Sequence, residues 1–108
     1  TWKLTVYGPA SSPIAAVTDA EASLNFNSDG TVTGNGGCKG LGGDYEISGD
    51  QITFGPIKST LMACDDSRME QEDAIHQVMT ETASYKINGN TLIITKDDTV
   101  LVFGWAAE

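Results

Sequence analysis

Apolar and polar residues alternate along much of this chain, and a two-residue period is typical of half-buried β-strands. Near the beginning of the sequence, Trp2, Leu4 and Val6 fall on one face of such a strand. The same alternation recurs at Ala22/Leu24/Phe26, Tyr45/Ile47, Ile52/Phe54, Tyr85/Ile87 and Leu92/Ile94, and the apolar run Val100–Phe103 predicts a last strand. The pattern therefore predicts a protein built mainly from short β-strands.

Short polar segments rich in Gly, Asn and Asp separate the predicted strands. They are Asn27–Gly30, Ser48–Asp50, Asn88–Asn90 and Lys96–Asp98. Gly, Asn and Asp tolerate the positive φ angles that tight hairpin turns need. Because parallel neighbours would need crossovers of about a dozen residues or more, these turns predict antiparallel pairing.

One segment in the second half of the chain has a helical period instead. Ser67 and Glu70 have the spacing of a capping box, in which each side chain hydrogen-bonds the backbone amide of the other residue. Residues that fit one helix face then recur three and four positions apart, at Ile75, Val78, Met79 and Thr82. We predict one helix over about 68–82 that packs on a sheet, which makes the fold class α+β with β dominant.

The length of 108 residues suits a single domain over residues 1–108, since two separate cores would each be too small. Fifteen acidic residues against six basic ones give a formal charge of −9. Such a charge disfavours binding to nucleic-acid phosphates and to anionic membrane surfaces. No apolar run approaches the roughly 20 residues of a transmembrane helix. We therefore expect a monomer that binds no nucleic acid and has no transmembrane segment in this chain.

The segment Gly34–Gly43 contains six of the twelve glycines and so invites comparison with phosphate-binding loops. It lacks both the Gly-Lys-Ser/Thr and the GxGxxG patterns, and the strand-like run Asp44–Ile47 follows it where a helix would be needed. We expect these glycines to serve turns and close backbone packing, and we expect no cofactor.

Asn25, Asn27, Asp29 and Gly30 copy the first half of a calcium-binding loop. The position that should carry the closing bidentate Glu is Gly36, so a β-hairpin is the better interpretation. A looser cation site could involve the acidic residues Asp65, Asp66, Glu70, Glu72 and Asp73. Acidic residues at a helix start usually stabilise the helix dipole and remain solvated, so we predict no metal site.

Catalysis by a Ser-His-Asp or Cys-His set would have to use His76, the sole histidine. On the predicted helix His76 lies beside Glu72, Asp73 and Thr80, on the face opposite Val78, where a solvated imidazole is expected. No carboxylate falls in an apolar run that would raise its pKa for acid–base work. We therefore predict no catalytic residues and a protein that is not an enzyme.

The two cysteines, Cys38 and Cys64, suggest a disulfide. Their bridge would close a loop of 64 − 38 = 26 residues, worth roughly 3.5 kcal/mol in the chain-entropy model. Such a bond persists outside the cytosol, in the periplasm or extracellular space. The alternative is two buried free thiols that behave as small apolar side chains. A thiol enzyme is a further alternative, because the flanking Lys39 could lower the pKa of a thiolate.

In order and spacing, several short motifs of this chain resemble the META domain, a family that includes a heat-inducible lipoprotein of Gram-negative bacteria. The motifs are Trp2-Lys3-Leu4, Gly34-Asn35-Gly36-Gly37-Cys38, Gly43-Asp44-Tyr45, Ser59-Thr60-Leu61-Met62-Ala63-Cys64 and Met69-Glu70-Gln71-Glu72. One departure is Lys39, which stands where the family usually carries an Asn. An Asn there would be expected to bond neighbouring backbone in a tight turn, so Lys39 puts that arrangement in doubt and leaves the cysteine pairing untouched.

The resemblance implies a strongly curved antiparallel sheet or partial barrel packed against one helix. It also implies one of three locations: the periplasm, an anchored position at the outer membrane, or the extracellular space. The family is linked to stress tolerance, envelope integrity, drug resistance or secretion. It supplies no catalytic residues. We expect a non-enzymatic module that binds a protein or a small apolar ligand, and the alternative is a structural domain of a larger envelope protein. Trp2, Tyr7 and Trp105 could either pack together or present a binding surface.

Overall fold

The computed structural model describes residues 1–16, 22–36, 40–59 and 66–105. This part of the chain contains ten strands and one helix. In chain order they are β1 (Trp2–Pro9), β2 (Ile14–Ala15), β3 (Ser23–Phe26), β4 (Thr31–Asn35), β5 (Gly40–Ser48), β6 (Gln51–Phe54), β7 (Lys58–Ser59), α1 (Asp66–Val78), β8 (Glu81–Asn88), β9 (Thr91–Lys96) and β10 (Thr99–Trp105). The predicted fold class, β-dominant with one helix, is confirmed.

Eight of the strands form a closed antiparallel barrel. Their order is β10-β9-β8-β6-β5-β4-β3-β1, and β1 pairs back onto β10 to close the ring. The closing pair runs from Trp2 opposite Trp105 to Pro9 opposite Thr99. The two short strands lie outside the ring, with β2 on β1 and β7 on β5. The barrel is therefore complete, whereas the sequence led us to expect a partial one. The closing pair joins segments from opposite ends of the sequence, and turn signals do not reveal a pairing of that kind.

The predicted hairpin turns join neighbouring strands of this barrel. Ser48 pairs with Gln51 across the turn between β5 and β6, and Asn88 pairs with Thr91 across the turn between β8 and β9. Between β3 and β4, the Gly30 amide donates to the Asn27 carbonyl at 3.1 Å. The turn signals therefore predicted both the positions of these hairpins and their antiparallel sense.

The helix differs from its prediction at both ends. It begins by Asp66, so Ser67 already lies within α1 and the capping box does not mark the helix start. It ends at Val78, and Glu81, with a φ of 60°, begins β8. Thr82, which fits the helical period, instead pairs with Thr53 in the sheet, where their hydroxyls lie 2.9 Å apart. Among the described residues, no helix is long and apolar enough to cross a bilayer.

One buried core joins the barrel interior to the helix. The helix supplies Ile75 and Val78, and Met79 directly follows it; each is at most 1% exposed. The helix packs against β1, β9 and β10. From the sheet come mainly inward-facing residues, among them Leu4, Leu24, Val32, Leu41, Phe54, Ile94, Leu101 and Phe103. The predicted packing of this apolar face on the sheet is therefore confirmed for Ile75, Val78 and Met79.

Glu72 and Gln71 are the polar members of the buried set, although sequence analysis expected Glu72 to be solvated. The reason is Gly36, which follows β4. The side-chain amide of Gln71 donates to the Gly36 carbonyl at 2.8 Å in a buried hydrogen bond. A Cβ atom at position 36 would lie 2.6 Å from Glu72 Cδ. The missing side chain of Gly36 thus provides the space into which the Glu72 carboxylate packs.

This contact predicts that Gly36→Ala destabilises the fold by about 1–3 kcal/mol, the usual cost of overpacking a filled site. In a Glu72→Ala background the same change should cost less than about 1 kcal/mol, because the atoms that clash are gone. Urea unfolding of the four proteins in this cycle measures both values.

Gly104→Ala is the matched control, since a Cβ atom there would meet Thr5 Cγ2 at an ordinary 3.7 Å. An equal cost of Gly36→Ala in both backgrounds would contradict the assigned contact.

Candidate binding site

An apolar pocket opens at the end of the barrel where the turns between β3 and β4, β5 and β6, and β8 and β9 meet. Its volume is about 200 Å³. The residues that line it, and define it here as the apolar pocket, are Trp2, Phe26, Tyr45, Ile47, Ile52, Tyr85, Ile87, Leu92 and Ile94. They come from six strands, so the pocket exists only because the sheet closes on itself.

Strand alternation divides the lining into a floor and a rim. Ile52, Leu92 and Ile94 form the floor and are at most 4% exposed. Ile47 and Ile87 occupy the last inward positions before the turns and are 45% and 55% exposed. These two side chains give the solvent-exposed rim an aliphatic surface.

Aromatic rings form much of the wall. Phe26 and Tyr45 pack edge to face with ring centroids 5.1 Å apart. Trp2 packs in the same way on Trp105, at 5.0 Å, and Trp105 is 51% exposed. Tyr7 lies apart from this pair and is only 3% exposed. The two tryptophans therefore both pack together and present aromatic surface beside the pocket.

The hydroxyl groups of the two wall tyrosines are bonded to the backbone. The Tyr45 hydroxyl donates to the Asn27 carbonyl at 2.9 Å, and the Tyr85 hydroxyl donates to the Gly49 carbonyl at 3.1 Å. Each bond ties a pocket wall to one of the turns that surround the opening. With these hydroxyls engaged, the pocket offers its occupant mainly hydrocarbon and aromatic surface.

The turns around the opening carry acidic but no basic residues. Asp29 and Asp50 lie in two of them, and both are exposed. Asp29 accepts hydrogen bonds from the Thr31 hydroxyl at 2.6 Å and from the Thr31 amide at 3.0 Å. These bonds favour the ionised form and hold the pKa of Asp29 below its ordinary value. The charge that these turns contribute beside the opening is therefore negative.

The segment that resembled a calcium loop is part of a hairpin. Asn25 lies in β3, where its side-chain oxygen accepts from the Thr1 hydroxyl at 2.8 Å, and Asn27 bonds Thr31 across the turn. The described residues contain no group of three or more His, Cys, Asp or Glu side chains that could hold a metal ion. The hairpin interpretation is confirmed.

The four described acidic residues among those weighed as a cation site do not share one face. Asp66, Glu70 and Asp73 are exposed, whereas Glu72 points into the core beside Gly36. Asp65 lies outside the described residues.

His76 is half-buried rather than fully solvated. Its Nε2 atom lies 3.8 Å from Glu72 Oε2, and its carbonyl accepts from the Thr80 hydroxyl at 2.6 Å. Proximity to Glu72 and Thr80 was expected from the helical spacing. Cys38, Lys39 and Cys64 lie outside the described residues, so the Cys38–Cys64 disulfide stays a prediction.

Sequence analysis placed Tyr45, Ile47, Tyr85 and Ile87 on strands without assigning them to a site. A signal was present, since both isoleucines stand directly before a polar turn, where a solvent-facing residue is more common. This signal did not show that the two hairpins converge on one pocket, because their convergence depends on the pairing of β1 with β10.

Two solved structures are similar to this fold. An NMR structure of a protein from Burkholderia xenovorans matches with a TM-score of 0.81 at 21% sequence identity, covering 99% of this chain and 81% of that chain. A second NMR structure matches with a TM-score of 0.71 at 17% identity, covering 95% of this chain and 87% of that one. At these identities the similarity concerns the fold alone.

The family model of the META domain matches residues 1–108, the whole chain. The chain therefore belongs to the META domain family, and the resemblance inferred from its motifs is confirmed. No curated protein gives a significant match.

The Asp29 contacts predict a pH-dependent stability of the rim hairpin. Because the folded-state pKa of Asp29 is depressed, its stabilising contribution is present above the unfolded-state pKa and is lost as pH falls through the folded-state value. Thr31→Val removes the hydroxyl donor and should raise the pKa of Asp29 towards its ordinary value, as measured by NMR titration of the carboxyl carbon.

Thr33→Val is the control, because Thr33 is an exposed threonine of the same strand with no assigned bond to Asp29. A pKa of Asp29 that is unchanged by Thr31→Val would refute this account.

Proposed function

Given that the chain is a META domain, we propose that it is a non-enzymatic binding module that holds one small neutral apolar group in the apolar pocket. The group is a single ring or the end of an alkyl chain. The observation that carries the proposal is a pocket whose floor and rim are aliphatic, whose walls are aromatic and whose tyrosine hydroxyls bond the backbone.

The size of the pocket supports this class of ligand. An apolar cavity of about 150 Å³ is large enough to take up benzene. The apolar pocket, at about 200 Å³, can therefore admit a ring or a few methylene groups but not a folded protein segment. A larger amphiphile would place its remaining part in solvent above Ile47 and Ile87.

Charge favours a neutral ligand over an anionic one. The turns around the opening contribute the carboxylates of Asp29 and Asp50, and the whole chain has a formal charge of −9. An anionic head group held above the opening would be repelled by these carboxylates. A fatty acid should therefore bind less well than the alcohol of the same chain length.

We also propose that the module works outside the cytosol, in the periplasm, at the outer membrane or in the extracellular space, with Cys38 and Cys64 joined. The hydrogen bond between Gln71 and Gly36 supports this pairing. Gly36 lies two positions before Cys38, and Asp66, where α1 begins, lies two positions after Cys64. The described residue that precedes Cys38 by two positions thus contacts the helix that follows Cys64.

The neutral fluorophore N-phenyl-1-naphthylamine tests the pocket. It should bind the wild-type protein and gain fluorescence as it leaves water, and decanol should displace it more effectively than decanoate. Ile87→Glu should weaken binding at least about tenfold, because it places a charge at the apolar rim and removes apolar contact.

The matched control is Ile14→Glu, the same substitution at an isoleucine that is also exposed but lies outside the pocket. Equal weakening by both substitutions, or no binding by the wild type, would refute the proposed site.

The disulfide predicts a defined mass. Protein exported to an oxidising compartment, alkylated before denaturation and weighed intact, should carry no alkyl group until a reductant is added. Cys38→Ser/Cys64→Ser should lower the free energy of unfolding in urea by roughly 3.5 kcal/mol. Two alkylated thiols without reductant would argue against both the bond and the proposed location.

A further inference from the structure

The two tyrosines of the apolar pocket each hold one of the acidic turns beside its opening. The Tyr45 hydroxyl donates to the Asn27 carbonyl at 2.9 Å, and the Tyr45 amide donates to the Gly30 carbonyl at 2.9 Å. These two bonds lie on either side of Asp29 in the sequence. The Asp29 carboxylate therefore belongs to a turn that is fixed against one wall of the pocket.

Tyr85 makes the same pair of contacts with the turn between β5 and β6. Its hydroxyl donates to the Gly49 carbonyl at 3.1 Å, and its amide donates to the Asp50 carbonyl at 3.0 Å. The backbone of Asp50 is thus bonded directly to a residue that lines the pocket. Each tyrosine contributes an aromatic wall and positions one acidic turn, so apolar surface and negative charge are built together at this opening.

The lysines on the six strands of the pocket are directed elsewhere. Lys3 and Lys86 are exposed and stand next to the pocket residues Trp2 and Tyr85, so strand alternation places their side chains on the outer face of the barrel. Lys96 lies at the far end of β9, where its ammonium group donates to a backbone carbonyl of the segment that follows α1. Within the described part of the chain, no lysine or arginine lines the pocket or the turns around its opening.

The walls of the pocket also favour a cation. Four aromatic residues line it, namely Trp2, Phe26, Tyr45 and Tyr85. The face of an aromatic ring carries partial negative charge, and several such rings together bind quaternary ammonium groups. A quaternary ammonium has no N–H group and needs no hydroxyl acceptor, which agrees with tyrosine hydroxyls that are already bonded to the backbone.

We propose that the ligand of the apolar pocket is an amphiphile with one quaternary ammonium group. Its alkyl end lies on the aliphatic floor. Its ammonium group lies at the opening beside the rings of Tyr45 and Tyr85, where the carboxylates of Asp29 and Asp50 attract it. This inference rests on the proposed function and specifies the part of the ligand that projects beyond the neutral group.

Three compounds with the same alkyl chain length test the charge of the ligand. Decyltrimethylammonium, decanol and decanoate, each below its micelle concentration, displace N-phenyl-1-naphthylamine at pH 7 and about 0.15 M salt, where long-range attraction is screened. Decyltrimethylammonium should displace the probe at a concentration about tenfold lower than decanoate. In Asp29→Asn/Asp50→Asn, the ratio of the affinity for decyltrimethylammonium to that for decanol should fall about fivefold, as expected for the loss of two exposed ion pairs.

Asp97→Asn/Asp98→Asn is the matched control, because it removes two exposed carboxylates from the turn at the opposite end of the barrel. The affinity ratio should stay within about twofold of the wild-type value, since those charges are distant and screened. A charge swap at the rim is a second test. Ile87→Lys and Ile87→Glu both remove the same exposed apolar contact, and the ratio should be about tenfold lower in Ile87→Lys than in Ile87→Glu.

An equal fall of the ratio in the two double variants, or equal ratios in the two Ile87 variants, would overturn the inference. It would also be overturned if tetramethylammonium displaced the probe as well as decyltrimethylammonium, because the alkyl chain would then contribute nothing. The proposed function has a separate failure, in which neither the probe nor decanol binds the wild type. Binding of both without a preference for decyltrimethylammonium over decanoate would refute the inference alone.

Discussion

The pairing of β1 with β10 is the constraint on which the rest of the molecule depends. It joins two segments from opposite ends of the sequence and turns a row of hairpins into a ring without open edges between them. Only in the closed ring do inward-facing residues of six strands meet around one opening to form the apolar pocket. At its other end the same pair lines a second cavity beside α1, so one strand pair contributes to both.

A second constraint fixes the helix against this ring. Gln71 and Glu72 are buried, and burial of polar groups is costly unless they are bonded in one particular arrangement. Gly36 supplies that arrangement, since its carbonyl accepts from Gln71 and its missing side chain admits the Glu72 carboxylate. Two of the motifs that mark the family, around Gly36 and around Gln71, are therefore two sides of one contact. A purely apolar helix face could slide along the barrel, whereas this contact allows one register.

Sequence patterns predicted what depends on near neighbours and missed what depends on distant ones. Strands and hairpins followed from alternation and turn residues, because those signals lie within a few positions of each other. The predicted end of the helix was wrong because Thr82 fits the helical period but pairs with Thr53 in the sheet. The burial of Glu72 and the convergence of Ile47 with Ile87 escaped prediction for the same reason. Each requires the position of a segment that is remote in sequence.

The closing pair also has a mechanical consequence. Trp2 stands opposite Trp105, so the two ends of the described chain lie side by side, at the wall of the apolar pocket. Because β1 and β10 are antiparallel, tension between these two ends would pull both strands apart from the same end. The hydrogen bonds between the strands would then break one after another. The pocket wall would separate early, while the contact of the helix with Gly36 still held. A domain tethered at both ends would thus open the apolar pocket under load before it lost its core.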